Sequence, residues 1–179
     1  MSVTRLRSVV VLLAGACVVS CATLSQQAIA QEPPTRVILF IADGAGASYW
    51  TAAAYAADHL AVERFPVMGL VNTSSSDSKV TDSAAAATAL GAGVRTYNGA
   101  IAVGPDSTSV TTVLEVAQGS GLATGLVATS SITHATPAAF ASHVPDRNMG
   151  WEIARQMAYA DVDVILGGGA SLPRSNQAP

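Results

Sequence analysis

Residues 80–89, Val-Thr-Asp-Ser-Ala-Ala-Ala-Ala-Thr-Ala, constrain this chain more than any other segment. Alanine is the best helix former, and Asp and Ser are preferred N-caps. The run therefore predicts a helix that starts near Asp82-Ser83. A helix start presents unpaired backbone N–H groups and the positive end of the helix dipole, which together make an anion site. Phosphate is the common biological anion that uses such a site. A hydroxyl placed there, that of Ser83, can attack a bound anionic group or simply hold it. An ordinary capped and buried helix accounts for the ten residues taken alone.

The flanking pattern sets the fold class. Residues 36–42, Arg-Val-Ile-Leu-Phe-Ile-Ala, form a short unbroken apolar run rich in β-branched residues, which reads as a buried parallel strand ending at Asp43-Gly44-Ala45-Gly46. Residues 48–58 read as a helix with Ser48 as its cap, and residues 67–72 as a second short strand. A polar loop, 73–79, precedes the Ala-rich helix, which ends near Gly91 and Gly93, where glycine takes a left-handed C-cap. A loop over 95–108 leads to a helix at 111–118, a strand at 123–129, and a helix opening near Thr136-Pro137. A helix over 148–160 and a strand over 163–166 follow. Strands alternating with helices predict an α/β fold with a parallel sheet covered on both faces. Ligands bind such folds at the carboxyl ends of strands, where Asp43 and His134 both lie.

Composition narrows the partners. The net charge of −3 leaves no basic face to neutralise phosphates, which excludes nucleic acid as a partner. Residues 1–30 read as a signal peptide, with Arg5 and Arg7 before the apolar stretch Val9–Val19. Ala28-Ile29-Ala30 is one processing site. Val18-Val19-Ser20-Cys21 resembles a bacterial lipobox that would leave Cys21 lipidated. Either route predicts export to a periplasmic, secreted or lipid-anchored location, with Cys21 the only tie to a membrane. Both cysteines, Cys17 and Cys21, lie in this segment, so no disulfide is expected in the domain. Residues 31–35 read as a Pro-bearing linker and 36–179 as a domain, in which nothing is long and apolar enough to span a membrane.

Singly, Asp43-Gly44 reads as a turn, His134 as a loop histidine, Thr136 as a helix cap and Arg147 as a surface charge. Together, Asp43-Gly44, Asp82-Ser83-Ala84-Ala85-Ala86-Ala87-Thr88-Ala89, Thr133-His134-Ala135-Thr136-Pro137-Ala138-Ala139 and His143-Val144-Pro145-Asp146-Arg147 occur in an order and at spacings that resemble the N-terminal part of an alkaline phosphatase. The resemblance covers roughly residues 36–170. It implies a three-layer α/β/α fold with a mostly parallel central sheet, here incomplete.

The resemblance also implies roles. Ser83 resembles the nucleophile that becomes phosphoserine and ligates zinc. Asp43 resembles the carboxylate shared by a zinc and a magnesium, and Thr136 a magnesium ligand. His134 would sit near the magnesium, directly or through water. Arg147 resembles the arginine that clamps phosphate, oriented by Asp82. Two zinc sites and one magnesium site, phosphomonoester substrates, inorganic phosphate as product and a homodimer follow from the same likeness. The chemistry agrees. A serine hydroxyl needs a base or a metal to become a nucleophile, Arg pairs bidentately with phosphate, and Asp and Thr oxygens suit magnesium.

The ligand count sets a second expectation. Zinc needs three or four nitrogen or carboxylate donors, and the chain has three histidines. His59 reads as a surface or packing residue of a helix, and His143 as a support for the loop before Arg147. The remaining metal ligands would lie beyond the end of this sequence, which stops where a doubly wound domain is expected to continue. The 179-residue chain is therefore expected to be inactive alone, the competing reading being an inactive or anion-binding fragment. A related phosphodiesterase or phosphonate hydrolase is a third reading, disfavoured by Arg147 and by serine at position 83. No sulfatase C/S-x-P-x-R or G-x-S-x-G elbow is present.

Overall fold

A computed structural model describes residues 36–169. The expected signal peptide, the Cys21 lipidation site and the 31–35 linker lie outside the described residues, as does the stretch 170–179. The chain divides into two compact units, 1–41 and 42–179. In the first, residues 36–41 carry no regular secondary structure, and Val37, Ile38, Leu39 and Phe40 are exposed. The buried strand expected over 36–42 is not formed. A strand needs a neighbour for its N–H and C=O groups and a covered face for its side chains, and apolar β-branched composition supplies neither.

The second unit begins with helix α1 (Ala47–Ala56), which buries no residue. Its N-cap is Gly46, not the expected Ser48, and no side chain caps it. A short 3-10 helix, Ala61–Arg64, follows. His59 lies between these two elements rather than in a helix, and its side chain is exposed. The strand expected over 67–72 is also absent: Val67, Met68, Leu70 and Val71 are exposed in an irregular segment.

The hydrophobic core lies from residue 82 onward. Helix α2 (Ser83–Ala92) starts where the sequence places it. Asp82 caps it by accepting the Ala85 N–H at 2.9 Å, and Gly93 closes it at φ 68°. Helix α3 (Val113–Gly119) opens with a capping box between Thr112 and Glu115. Strand β1 (Gly125–Ser131) leads to helix α4 (Ala135–Ala141), then helix α5 (Gly150–Ala158) and strand β2 (Val164–Gly168). The two strands pair in parallel with Gly125 opposite Val164, and the register shifts before Ser131 meets Gly168. Parallel strands joined by helices make this an α/β fold. The sheet has two strands among the described residues. No helix there is long and apolar enough to cross a membrane.

The core is built mainly from small residues. Ala84 and Ala87 of α2 pack with Ala135, Ala138, Ala139 and Ala141 of α4 around Ile101, Val144, Ile153 and Met157. Alanine faces allow two helices to approach closely. At Gly91 a Cβ would stand 3.2 Å from the Ala139 carbonyl and 3.3 Å from the Phe140 ring. Every residue of α4 is buried except Thr136, which is half-buried. Pro137 sits in the first turn, where a missing N–H costs no intrahelical bond. The close α2–α4 contact thereby carries Ser83, at the start of one helix, beside Thr136, at the start of the other.

Candidate active site

Four short segments converge. Asp43 stands in a turn, Ser83 at the first position of α2, and His134 and Thr136 at the start of α4; Arg147 follows the bridge between Val144 and Ile101. The Ser83 hydroxyl donates to Asp43 Oδ1 at 3.0 Å, and the Thr136 hydroxyl donates to Asp43 Oδ2 at 2.6 Å. One carboxylate thus holds two hydroxyls from different helices. The Thr136 bond holds the Asp43 carboxyl below the usual carboxylate range; partial burial opposes this, while the Ser83 bond and the nearby Arg147 charge add to the lowering.

Arg147 makes the second half. Its Nη1 donates to Asp82 Oδ2 at 3.0 Å, with both side chains about a quarter exposed. Its Nη2 lies 3.2 Å from His134 Nε2, and because arginine can only donate, that nitrogen accepts. Asp82 therefore does two tasks. Oδ1 caps α2 by accepting from Ala85 N–H, and Oδ2 fixes the guanidinium beside the helix start that carries Ser83. The guanidinium charge and the positive end of the α2 dipole then face the same space, a setting for an anion with several oxygens.

All six residues singled out from sequence fall into two hydrogen-bonded trios, Ser83–Asp43–Thr136 and Asp82–Arg147–His134, which meet where Asp82 adjoins Ser83 in the chain and where His134 and Thr136 open α4. Thr136 is not the cap of α4. The N-cap is His134, without a side-chain bond to the helix, which leaves the threonine hydroxyl free to reach Asp43. His143 is spatially separate. Its Nδ1 lies 2.8 Å from the Ala102 carbonyl and its Nε2 2.8 Å from Glu115, and its backbone N–H donates to Gln156. That network braces the loop leading to Arg147, as the sequence predicts. Asn98 and Gly99 also touch the site and were not singled out. Their Asn-Gly pair reads in sequence as an ordinary turn signal.

The donor chemistry bears on metals. Carboxylate and hydroxyl oxygens of Asp43, Thr136 and Ser83 form a hard-donor set that fits magnesium as part of its shell. No three His, Cys, Asp or Glu residues cluster tightly enough to hold a metal among the described residues, so these residues do not complete a zinc site.

The sequence signature of the family described as Alkaline phosphatase matches residues 35–178. The chain belongs to the alkaline phosphatase family. It is 45% identical over 159 residues to Alkaline phosphatase 3 of Bacillus subtilis, covering 79% of this chain and 34% of that protein. The alkaline phosphatase of the Antarctic bacterium TAB5 superposes with a TM-score of 0.73 at 47% identity, covering 76% of this chain and 40% of that one. A histidine variant of the TAB5 alkaline phosphatase, with Mg bound in its M3 site, matches with the same TM-score of 0.73. The chain thus spans about a third of the length of the curated alkaline phosphatase it matches.

Proposed function

We propose that these residues form the nucleophile-and-arginine part of a phosphomonoesterase that works through a phosphoserine at Ser83. The observation that carries this reading is the Ser83 hydroxyl at a helix start, oriented by Asp43, with Arg147 held by Asp82 against the same helix start.

The arginine pairs with two phosphate oxygens of the substrate and turns the phosphorus toward Ser83 Oγ. The Oγ–P bond forms as the ester P–O bond breaks; the Oγ proton passes to solvent, and the alcohol leaves with the electron pair and takes up a proton from solvent. Water then attacks the phosphoserine, restores the Ser83 hydroxyl and releases inorganic phosphate. The free N–H groups at the start of α2 and the Arg147 guanidinium stabilise the charge that builds on the transferring oxygens. Asp43, Thr136 and His134 would hold magnesium, and Asp43 and Ser83 would face zinc. Such ions, when bound, lower the pKa of a hydroxyl and neutralise charge on the attacking and leaving oxygens. Export directed by residues 1–30, with processing after Ala30 or lipidation at Cys21, and a homodimer belong to the same proposal.

The lack of a three-donor cluster among the described residues favours a second reading for the 179-residue chain by itself: it binds an anion without turning over. The test is hydrolysis of an aryl phosphate, with zinc and magnesium supplied, by the protein expressed from its complete reading frame. Turnover that disappears in Ser83→Ala supports the reading, and turnover that survives it overturns the nucleophile. The 179-residue chain alone is expected to release no phosphate, and metal-dependent release by it would overturn that expectation.

A further inference from the structure

Tyr97, Asn98, Gly99 and Ala100 form a tight turn closed by the Ala100 N–H donating to the Tyr97 carbonyl at 3.2 Å. Gly99 takes φ 90° in the third position, the conformation that a type II turn reserves for glycine. Four bonds leave the central pair. Asn98 Oδ1 accepts the Asp82 N–H at 2.9 Å, and Asn98 Nδ2 donates to the Val80 carbonyl at 2.9 Å. The Gly99 N–H donates to Asp82 Oδ2 at 3.0 Å, and the Gly99 carbonyl accepts the Arg147 N–H at 2.8 Å. A fifth bond anchors the turn from behind: Asp77 Oδ1 accepts the Asn98 N–H at 3.0 Å and the hydroxyl of buried Ser75 at 2.6 Å.

These bonds reach both halves of the site. Asn98 grips the backbone on either side of Thr81, immediately before the helix start. Gly99 holds the carboxylate oxygen that receives the Arg147 guanidinium and also holds the Arg147 backbone. Arg147 has other anchors for its side chain in Asp82 and His134, but its own N–H is bonded to Gly99. We infer that the Asn98-Gly99 turn is a positioning brace that sets the distance between the Ser83 hydroxyl and the Arg147 guanidinium for a tetrahedral phosphate. Neither residue touches the phosphate; they act through Asp82 and Arg147. The inference rests on Ser83 and Arg147 sharing one phosphate, and it adds the two residues that fix their spacing.

A merely local turn and a brace behave differently when Asn98 is cut back. Asn98→Ala removes both bonds to the 80–82 backbone and touches nothing on Arg147 directly. The measurement is amide hydrogen exchange on the whole chain, with the Arg147 Nε–H signal followed by NMR, and then titration with inorganic phosphate. For a brace, Asn98→Ala raises exchange at Ala85 and at Arg147 together, broadens the Arg147 Nε–H signal, and weakens phosphate binding about tenfold. Faster exchange confined to residues 80–85, with the Arg147 signals unchanged, overturns the inference. If Asn98→Ala does not fold, Gly99→Ala asks the same question from the other side. A Cβ at Gly99 meets nothing within 4 Å, so only its positive φ is penalised. There the brace predicts the same joint response at Ala85 and Arg147, and a response at one alone overturns it. An unaltered chain that binds no inorganic phosphate counts against the phosphate site, while the exchange pattern still decides the brace.

Discussion

Helices α1 and α2 are matched in length and rich in alanine, and opposite in fate. Each has ten residues, five of them alanine in α1 and six in α2, and α1 also carries Tyr49, Trp50 and Tyr55. Helix α1 buries none of them, whereas α2 buries Ala84, Ala85, Ala87, Thr88 and Gly91. Neither shows a polar face that would orient it. The difference lies at the ends and in the neighbours. Helix α2 has a side-chain cap in Asp82, a left-handed stop at Gly93, and α4 lying against it with its own alanines. Helix α1 starts at Gly46 with no side-chain cap and ends at an extended Ala57. Composition makes a helix; caps and a complementary surface make it part of a core, and here only the second helix presents chemistry at its start.

The strongest way to break this comparison is to enlarge one alanine in each helix. Ala84→Leu forces extra volume into the α2–α4 contact and is expected to cost about 1–3 kcal/mol. Ala54→Leu, on exposed α1, is expected to stay within about 0.5 kcal/mol. Equal shifts in thermal unfolding for the two variants would mean that α2 is no more packed than α1. Removing the cap comes next. Asp82→Ala should cost about 1–2 kcal/mol and release the Arg147 guanidinium, read together as a lower denaturant midpoint and weaker phosphate binding. An unchanged phosphate affinity would sever the link between cap and clamp.

Acid should then separate the two regions. Burial raises the Glu115 carboxyl, but bonds from the Thr112 backbone and from His143, with the Thr112 hydroxyl, outweigh it and leave it lowered from its ordinary value of 4.5. A group depressed on folding adds stability that is complete above its unfolded pKa and is lost as pH falls through the folded one. The Glu115–His143 tie should therefore hold above about pH 4.5 and weaken below it, contributing less than about 1 kcal/mol because both partners are partly exposed. Hydrogen exchange should accelerate in α3 and around His143, with α1, which holds no Asp, Glu, Lys, Arg or His, unaffected. Uniform acceleration, or a Glu115→Gln variant with the same acid response, would remove this tie as the cause. The smallest effect is a gain. Gly46→Ser gives α1 the cap it lacks and should add only a few tenths of a kcal/mol in a urea melt. A larger gain would mean that the end of α1, not its missing partner, governs its order.

Local signals in the sequence located α2 well, because a cap, an alanine run and a stopping glycine act within ten residues. The six candidate site residues could be named for a different reason: their order and spacing resemble those of a family. Two elements failed. The apolar runs at 36–42 and 67–72 have the composition of strands, but a strand is completed by a partner that composition does not supply. The brace at Asn98-Gly99 was hidden because each of its bonds leaves the turn for residues up to 48 positions away. Thr88 was hidden likewise. It looks like one more member of the alanine helix, yet its hydroxyl donates to Ala100 and accepts from Ala102, whose φ of 43° is left-handed.

The spans of the bonds around Asp82 and Asp43 also imply an order of assembly. Gly99 reaches Asp82 across 17 residues, Arg147 reaches it across 65, and Thr136 reaches Asp43 across 93. Closing a 93-residue loop costs about 1.5 kcal/mol more in chain entropy than closing a 17-residue one. A folding chain therefore secures the capped helix and its turn early, while little has yet been constrained. The Asp43–Ser83 bond, across 40 residues, comes within reach next, the arginine after it, and the Thr136 bond that completes the hold on Asp43 is fastened last, once most of the fold is already there to receive it.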